Sequence, residues 1–138
     1  MKRLSLYLGA VTLGIALLSG CSSPAFKTTT NADIRVPENL RREVRIHKPI
    51  DQVYANLATY AGECQPVGNL VMSPDKTKIT ISQTGFGPQM RSVYMVVDIA
   101  AMGQGQADFK GYSYVGSSMW LDRLDEIIKG INDPKACA

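Results

Sequence analysis

The chain has little of what catalytic and metal centres are usually built from. Its 138 residues contain one histidine, three cysteines and one tryptophan. The histidine, His47, lies among the basic residues Arg45 and Lys48, and no serine stands in the Gly-x-Ser-x-Gly motif that a catalytic histidine would serve. We therefore expect an exposed strand histidine, no metal ligands, no cofactor, no catalytic residues, and a protein that is not an enzyme.

Phosphate-binding loops and a strong charge imbalance are missing as well. Gly85-x-Gly87 and Gly103-x-Gly105 lack the third glycine and the following helix that phosphate binding requires, so both are typical of turns. The formal net charge is +3, and two of the positive charges stand within the first three residues. The rest of the chain is nearly neutral and carries no nucleic-acid motif, so we expect no nucleic acid among its partners.

No hydrophobic run is long enough to span a bilayer. The longest, from Leu4 to Leu18, covers about 15 residues, whereas a transmembrane helix needs about 20. It follows Lys2 and Arg3 and ends in small residues, which is the pattern of a cleaved secretory signal. We expect residues 1–20 to be removed as a signal peptide.

The end of this run resembles the lipobox of bacterial lipoproteins. It reads Leu18-Ser19-Gly20-Cys21, and in that family a peptidase cuts before the cysteine, whose thiol and new amine carry acyl chains. The resemblance implies that Cys21 is lipidated and holds the mature protein stably on a membrane. By resemblance to the sorting rule of enterobacterial lipoproteins, Ser22 after the cysteine, with no aspartate there, implies the outer membrane, with the domain facing the periplasm. The whole chain also resembles the small lipoproteins common in Gram-negative bacteria.

Lipidation of Cys21 leaves Cys64 and Cys137 as an even pair in an oxidising compartment. Such pairs form disulfides, so we expect a bridge between them. On the chain-entropy model, a bridge that closes 73 residues stabilises a fold by roughly 4 kcal/mol.

Residues 21–40 are rich in Ser, Thr, Asn and Pro and show no hydrophobic period. We interpret them as the lipidated cysteine and a tether that holds the folded part roughly 25 Å from the membrane. In the alternative, residues 33–40 pack on the domain. Residues 41–138 then form a single domain.

Hydrophobic periodicity in residues 41–138 predicts two helices and about four to five strands. A period of 3.6 residues runs from Ile50 until Pro66 stops it, and again from Ser117 or Ser118 to Asn132. A period of two residues predicts strands at 43–47, 69–72, 78–82, 90–102 and 107–115. The order strand, helix, strands, helix indicates an α+β fold, with an antiparallel sheet and both amphipathic helices on one face.

The stretch from Ile46 to Leu57 (IHKPIDQVYANL) resembles the entry of START-like helix-grip domains. In that family a strand that ends at a proline leads into a helix carrying Val, an aromatic residue and Leu. The long C-terminal helix fits the same topology. The resemblance implies a hydrophobic ligand cavity between a curved sheet and the last helix.

Two surface features are candidates for binding. Tyr94, Tyr112 and Tyr114 fall on strand positions that place them together on the sheet face away from the helices. A bulge at Gly111 would instead turn Tyr112 and Tyr114 into the core, and the sequence leaves both outcomes open. Arg45 belongs to the basic run 41–48, which is either a solvated strand face or a contact for anionic lipid head groups.

Taken together, these features predict a non-enzymatic, membrane-anchored lipoprotein of the bacterial cell envelope. Its periplasmic domain would bind another envelope component, a protein, through the sheet face. The alternative is a carrier or sensor of a small hydrophobic ligand in a helix-grip cavity. The lining of that cavity would include Val97, Phe109, Trp120 and Leu124.

Overall fold

The structure, a computed structural model, describes residues 28–85 and 91–137, and it confirms the predicted α+β class. Strand, helix, four strands and helix follow one another, after two short helical turns. The elements are α1 (Asn31–Ile34), a 3-10 turn (Pro37–Asn39), β1 (Leu40–Ile46), α2 (Ile50–Glu63), β2 (Asn69–Met72), β3 (Lys78–Thr84), β4 (Val93–Ala101), β5 (Ala107–Ser113) and α3 (Ser118–Asn132).

The described strands form an antiparallel sheet in the order β1-β5-β4-β3-β2. Helix α2 carries the chain from β1 at one edge to β2 at the other, and β2 to β5 then follow as neighbours. The register aligns Ile81, Val97 and Gly111 on the face that carries the helices. Position 111 must be small, because a Cβ there would lie 2.7 Å from a methyl carbon of Leu124 on α3.

Helices α2 and α3 both lie over one face of the sheet, as the sequence predicts. The fully buried ring of Tyr60 on α2 faces Gly130 on α3, where a Cβ would lie 2.6 Å from the ring. The glycine therefore lets the two helix axes approach closely. The largest side chains between the helices and the sheet are fully buried: Leu57, Ile79, Ile81, Met95, Ile99, Phe109, Leu124, Ile127 and Ile131.

The predicted disulfide between Cys64 and Cys137 is confirmed. The two Sγ atoms are 2.03 Å apart, and the Cα atoms are 5.1 Å apart. Cys64 caps the C-terminal end of α2, and Cys137 lies in the tail that follows α3. The bridge therefore ties the end of one helix to the segment after the other.

The N-terminal segment, residues 29–39, covers part of the opposite face of the sheet. The amide of Val93 in β4 donates to the carbonyl oxygen of Thr29 at 2.9 Å, and Ile34 is fully buried. Thr30 caps α1 through reciprocal hydrogen bonds with Asp33. The alternative in which the later part of the tether packs on the domain is therefore the one found. The folded part includes residues from Thr29 onward rather than from residue 41, because these side chains find partners on the sheet.

Asp98 in β4 holds this segment through charge. Its carboxylate accepts two hydrogen bonds from Arg35, at 2.6 and 2.8 Å, and one from Thr80 at 3.1 Å. The ammonium group of Lys78 lies 3.4 Å away. Burial opposes the charge of Asp98, but these partners outweigh it and lower the pKa of its carboxyl group. The contribution to stability is therefore present above the usual carboxyl pKa and is lost as the pH falls through the lowered pKa.

We expect acid to release the N-terminal segment before the rest of the fold opens. Amide hydrogen exchange in residues 29–36, measured relative to an unfolded chain at the same pH, should rise below about pH 4, ahead of exchange in β4. Asp98→Asn should give the same local increase at neutral pH, because it removes the charge that binds Arg35. The control is Asp108→Asn, which affects a pair with Arg45 away from this segment. Unchanged exchange in residues 29–36 of the Asp98 variant would contradict the assignment.

Candidate functional site

The three tyrosines predicted to share a surface are separated in the structure. A register irregularity in β4, opposite the last two residues of β3, makes Tyr94 an extra residue and leaves its ring toward α3. Tyr94 stacks on Trp120 with a centroid distance of 5.9 Å and meets Tyr114 edge to face at 6.4 Å. Tyr112 stays on the opposite sheet face. The predicted patch is therefore divided: Tyr94 and Tyr114 form a pair on the helix side.

The irregularity that the sequence suggests at Gly111 of β5 lies instead in the neighbouring strand β1. Gly111 keeps regular pairing with Val97, and the irregularity falls across from it in β1, where Arg41 is the extra residue. Tyr112 therefore remains outside the core. Tyr114, just beyond the end of β5, is 59% exposed.

Ion pairs occupy part of the basic run 41–48. The Nε atom of Arg45 lies 2.7 Å from Oδ1 of Asp108, and Arg42 donates two hydrogen bonds to Asp125 of α3 at 2.6 and 2.8 Å. The hydrogen bond from Arg42 lowers the pKa of the Asp125 carboxyl group. Arg45 is exposed, and the carboxylate of Asp108 on the neighbouring strand β5 balances its charge.

Side chains fill the region between α3 and the sheet where a helix-grip cavity would lie. Val97, Phe109 and Leu124, three of the four residues expected to line it, are fully buried in the core. The fourth, Trp120, is 5% exposed and reaches an open cleft. In the described part of the chain, a space open to a ligand therefore lies beside the core, at Trp120.

This cleft has a volume of about 850 Å³ and lies where α3 extends past the end of α2. Helix α2 ends at Glu63, and Pro66 prevents its continuation. The side chain of Asn56 on α2 donates to the carbonyl of Ile131, so α2 lies beside the second half of α3. The first turns of α3 instead face an extended segment. The walls of the cleft are these first turns of α3, the residues around Gln65 to Asn69, and the last three residues of β3.

A polar network holds one wall of the cleft. Glu126 of α3 accepts hydrogen bonds from Arg123 and from the side-chain amide of Gln65, each at 2.9 Å. Gln65 also donates to the hydroxyl of Tyr60 at 3.2 Å, and Arg123 donates to the carbonyl of Pro66. The network therefore ties the segment after α2 to the first half of α3 and fixes the width of the cleft.

Gly68 and Gln83 form the base of the second wall. The φ angle of Gly68 is +109°, in a region that side chains rarely adopt, and a Cβ there would lie 2.6 Å from the carbonyl oxygen of Ser82. The amide of Gln83 donates to the carbonyl of Val67 at 2.7 Å. Only glycine therefore lets this segment lie directly against β3, which is what brings the walls together.

The cleft combines an apolar side with hydrogen-bonding groups. Trp120 and the exposed Met119 supply apolar surface, whereas Asn69, Ser82 and Asp122 supply donors and acceptors. This combination suits a ligand that carries both polar groups and an apolar group. In residues 28–85 and 91–137, no group of three or more His, Cys, Asp or Glu side chains is placed to hold a metal ion.

Sequence periodicity did not locate this cleft. The helical pattern of α3 marks Trp120 as a core residue, and the pattern does not show that α2 stops short of it. The available signal in the sequence was the pair Met119 and Trp120, which stand side by side in the first turn of α3.

Neither a protein-family model nor a curated protein matches the chain. Among the helices of the described ranges, none has the length and apolar character needed to cross a membrane.

Proposed function

We propose that the chain is a lipid-anchored protein of the bacterial cell envelope whose domain binds a segment of another envelope protein. The cleft beside Trp120 carries this proposal. A protein segment offers both backbone hydrogen-bonding groups and an apolar side chain, which match the polar walls and the Trp120 and Met119 surface. The resemblance of residues 18–21 to a lipobox, followed by Ser22, supports attachment to the outer membrane on its periplasmic side.

The proposed contact surface differs from the sheet face suggested by the sequence. That face carries the N-terminal segment at Asp98 and cross-strand ion pairs such as Lys110 with Glu43 at 3.2 Å. The charged side chains of these pairs already have partners within the chain. The cleft, by contrast, has open volume beside an aromatic ring.

A small amphipathic ligand is the second candidate. The volume of about 850 Å³ falls within the range of ligand pockets, roughly 300 to 1,000 Å³. The apolar surface of Trp120 favours such a ligand, whereas the hydrogen-bonding residues on the walls favour a protein segment. If the protein is a carrier, its ligand therefore binds in this cleft rather than in the interior of the fold.

Photocrosslinking in cells tests the proposal on the full lipidated chain. A benzophenone side chain is placed at Thr84 or at Asp122, exposed positions on opposite walls of the cleft, and at Ala58, an exposed position on α2. We expect one protein adduct of the same mass at positions 84 and 122 and none at 58.

Other outcomes separate the two candidates. Lipid or small-molecule adducts at both cleft positions, with the same molecule retained in native mass spectrometry, would replace the protein partner with a carrier function. Equal labelling at all three positions, or none, would contradict a binding role for the cleft.

A further inference from the structure

Exposed apolar side chains gather at one end of the sheet. Tyr114 is 59% exposed, Val115 38% and Met119 54%. Tyr114 and Val115 follow the last residue of β5, and Met119 lies in the first turn of α3. We call these three residues together with Arg41 and Arg91 the entry surface, because the first described residues of the chain lie beside them.

Two backbone hydrogen bonds place the first described residues at this end of the sheet. The carbonyl oxygen of Thr29 accepts from the amide of Val93, the first residue of β4, at 2.9 Å. The amide of Tyr114 donates to the carbonyl oxygen of Tyr94, the next residue, at 3.0 Å. Thr29 and Tyr114 therefore both attach to the start of β4.

Two cations complete the entry surface. Arg41, the extra residue of β1, lies against Gly116, and its Nε atom is buried without a hydrogen-bond partner among the described residues. Arg91 is exposed and precedes β4 by two positions. Within the described ranges, neither arginine has an ion-pair partner. Arg91, which is exposed, can therefore receive an anion from outside the domain, and the half-buried Arg41 adds positive charge to the same surface.

The length of chain before Thr29 limits where this end can lie. Residues 22–28 separate Thr29 from Cys21, and even a fully extended chain of that length spans at most about 30 Å. A domain of about 100 residues is itself about 34 Å across. If Cys21 is acylated, the entry surface therefore stays within about 30 Å of the bilayer, which is less than the width of the domain.

We propose that the entry surface docks on the lipid bilayer that carries the protein. Tyr114, Val115 and Met119 enter the head-group region, where amphipathic aromatic side chains are favoured, and Arg41 and Arg91 bind lipid phosphates. The proposal rests on the acylation of Cys21 in the proposed function. It also places the cleft next to the membrane, because Met119 belongs to both surfaces.

Charge alone does not choose between the two ends of the sheet. Lys48 and Lys76, at the other end, likewise have no ion-pair partner within the described ranges, and Met102 there is 42% exposed. The expected lipid anchor at Cys21 distinguishes the two ends, because Thr29 at the entry surface is only eight residues further along the chain. Met102 and Lys76 therefore provide matched controls for Tyr114 and Arg91.

Photocrosslinking in nanodiscs tests the docking. The full acylated protein is inserted into discs of phosphatidylethanolamine and phosphatidylglycerol, with a benzophenone side chain at Tyr114 or at Met102. We expect lipid adducts at position 114 and none at position 102. Arg91→Gln should lower the yield at position 114 about fivefold, whereas Lys76→Gln should leave it unchanged.

The same samples distinguish failure of docking from failure of the anchor. Intact mass reports the acyl chains on Cys21; if they are absent, the proposed function fails and the docking proposal fails with it. If they are present and position 114 yields no lipid adduct, or no more than position 102, only the docking is overturned. A protein adduct at position 114 in cells, in place of lipid, would also overturn it.

Discussion

Removal of the disulfide is expected to lower the free energy of unfolding by about 4 kcal/mol. The bridge closes a loop of 73 residues, so its loss restores a large number of conformations to the unfolded chain. Single domains are stable by only about 5 to 15 kcal/mol, so this change removes a large share of the total. The measurement is denaturant unfolding of the Cys64→Ala, Cys137→Ala double variant against the parent protein.

Two observations check the cause of that loss. The parent protein with reductant should unfold at nearly the same denaturant concentration as the double variant. Native alkylation without reductant should leave Cys64 and Cys137 unlabelled, whereas alkylation after reduction should label both. A difference in stability below about 1 kcal/mol would mean that the bridge contributes little to this fold.

Trp120→Ala is expected to lower the free energy of unfolding by about 3 to 5 kcal/mol. The indole ring is 5% exposed, and it stacks on Tyr94 with an angle of 15° between the ring planes. Its removal leaves a cavity below α3 and takes away the aromatic side of the cleft. Circular dichroism should follow the unfolding, because Trp120 is the only tryptophan in the chain.

The neighbouring residue provides the control for this variant. Met119→Ala should change the free energy of unfolding by no more than about 0.5 kcal/mol, because Met119 is 54% exposed. Trp120→Phe keeps an aromatic ring against Tyr94 and should fall between the two. Equal losses for Met119→Ala and Trp120→Ala would contradict the assignment of Trp120 to the core.

The strands and helices could be predicted from the sequence because their periodicity is local. Strand β2 has the predicted bounds of 69–72, and α3 runs from Ser118 to Asn132 as predicted. The disulfide could also be predicted, since the cysteine count leaves two thiols after the lipobox. The strands and helices depend on residue types at short spacing, and the disulfide depends on the number of cysteines. Predicting them does not require knowing which segments contact each other.

Neither of the two arrangements that the sequence leaves open for the tyrosines is the one found, because strand alternation assumes regular pairing in β4. One extra residue in β4 reverses the face of Tyr94, and its position depends on the match between β3 and β4. The sequence leaves the position of the N-terminal segment open for a related reason. Ile34 is one of a few isolated apolar residues in a polar stretch, and Asp98, which binds the neighbouring Arg35, lies 63 residues further along the chain.

By itself, therefore, the sequence determined the α+β class, the order of the elements, the cysteine pair and the expectation of a lipid anchor. The tertiary structure alone decided the cleft, the position of the N-terminal segment and the entry surface. The cleft exists because α2 and α3 overlap over only part of their lengths, and the entry surface exists because Thr29, Arg41 and Tyr114 reach the same end of the sheet. Both are relations between segments far apart in sequence, which local periodicity does not encode.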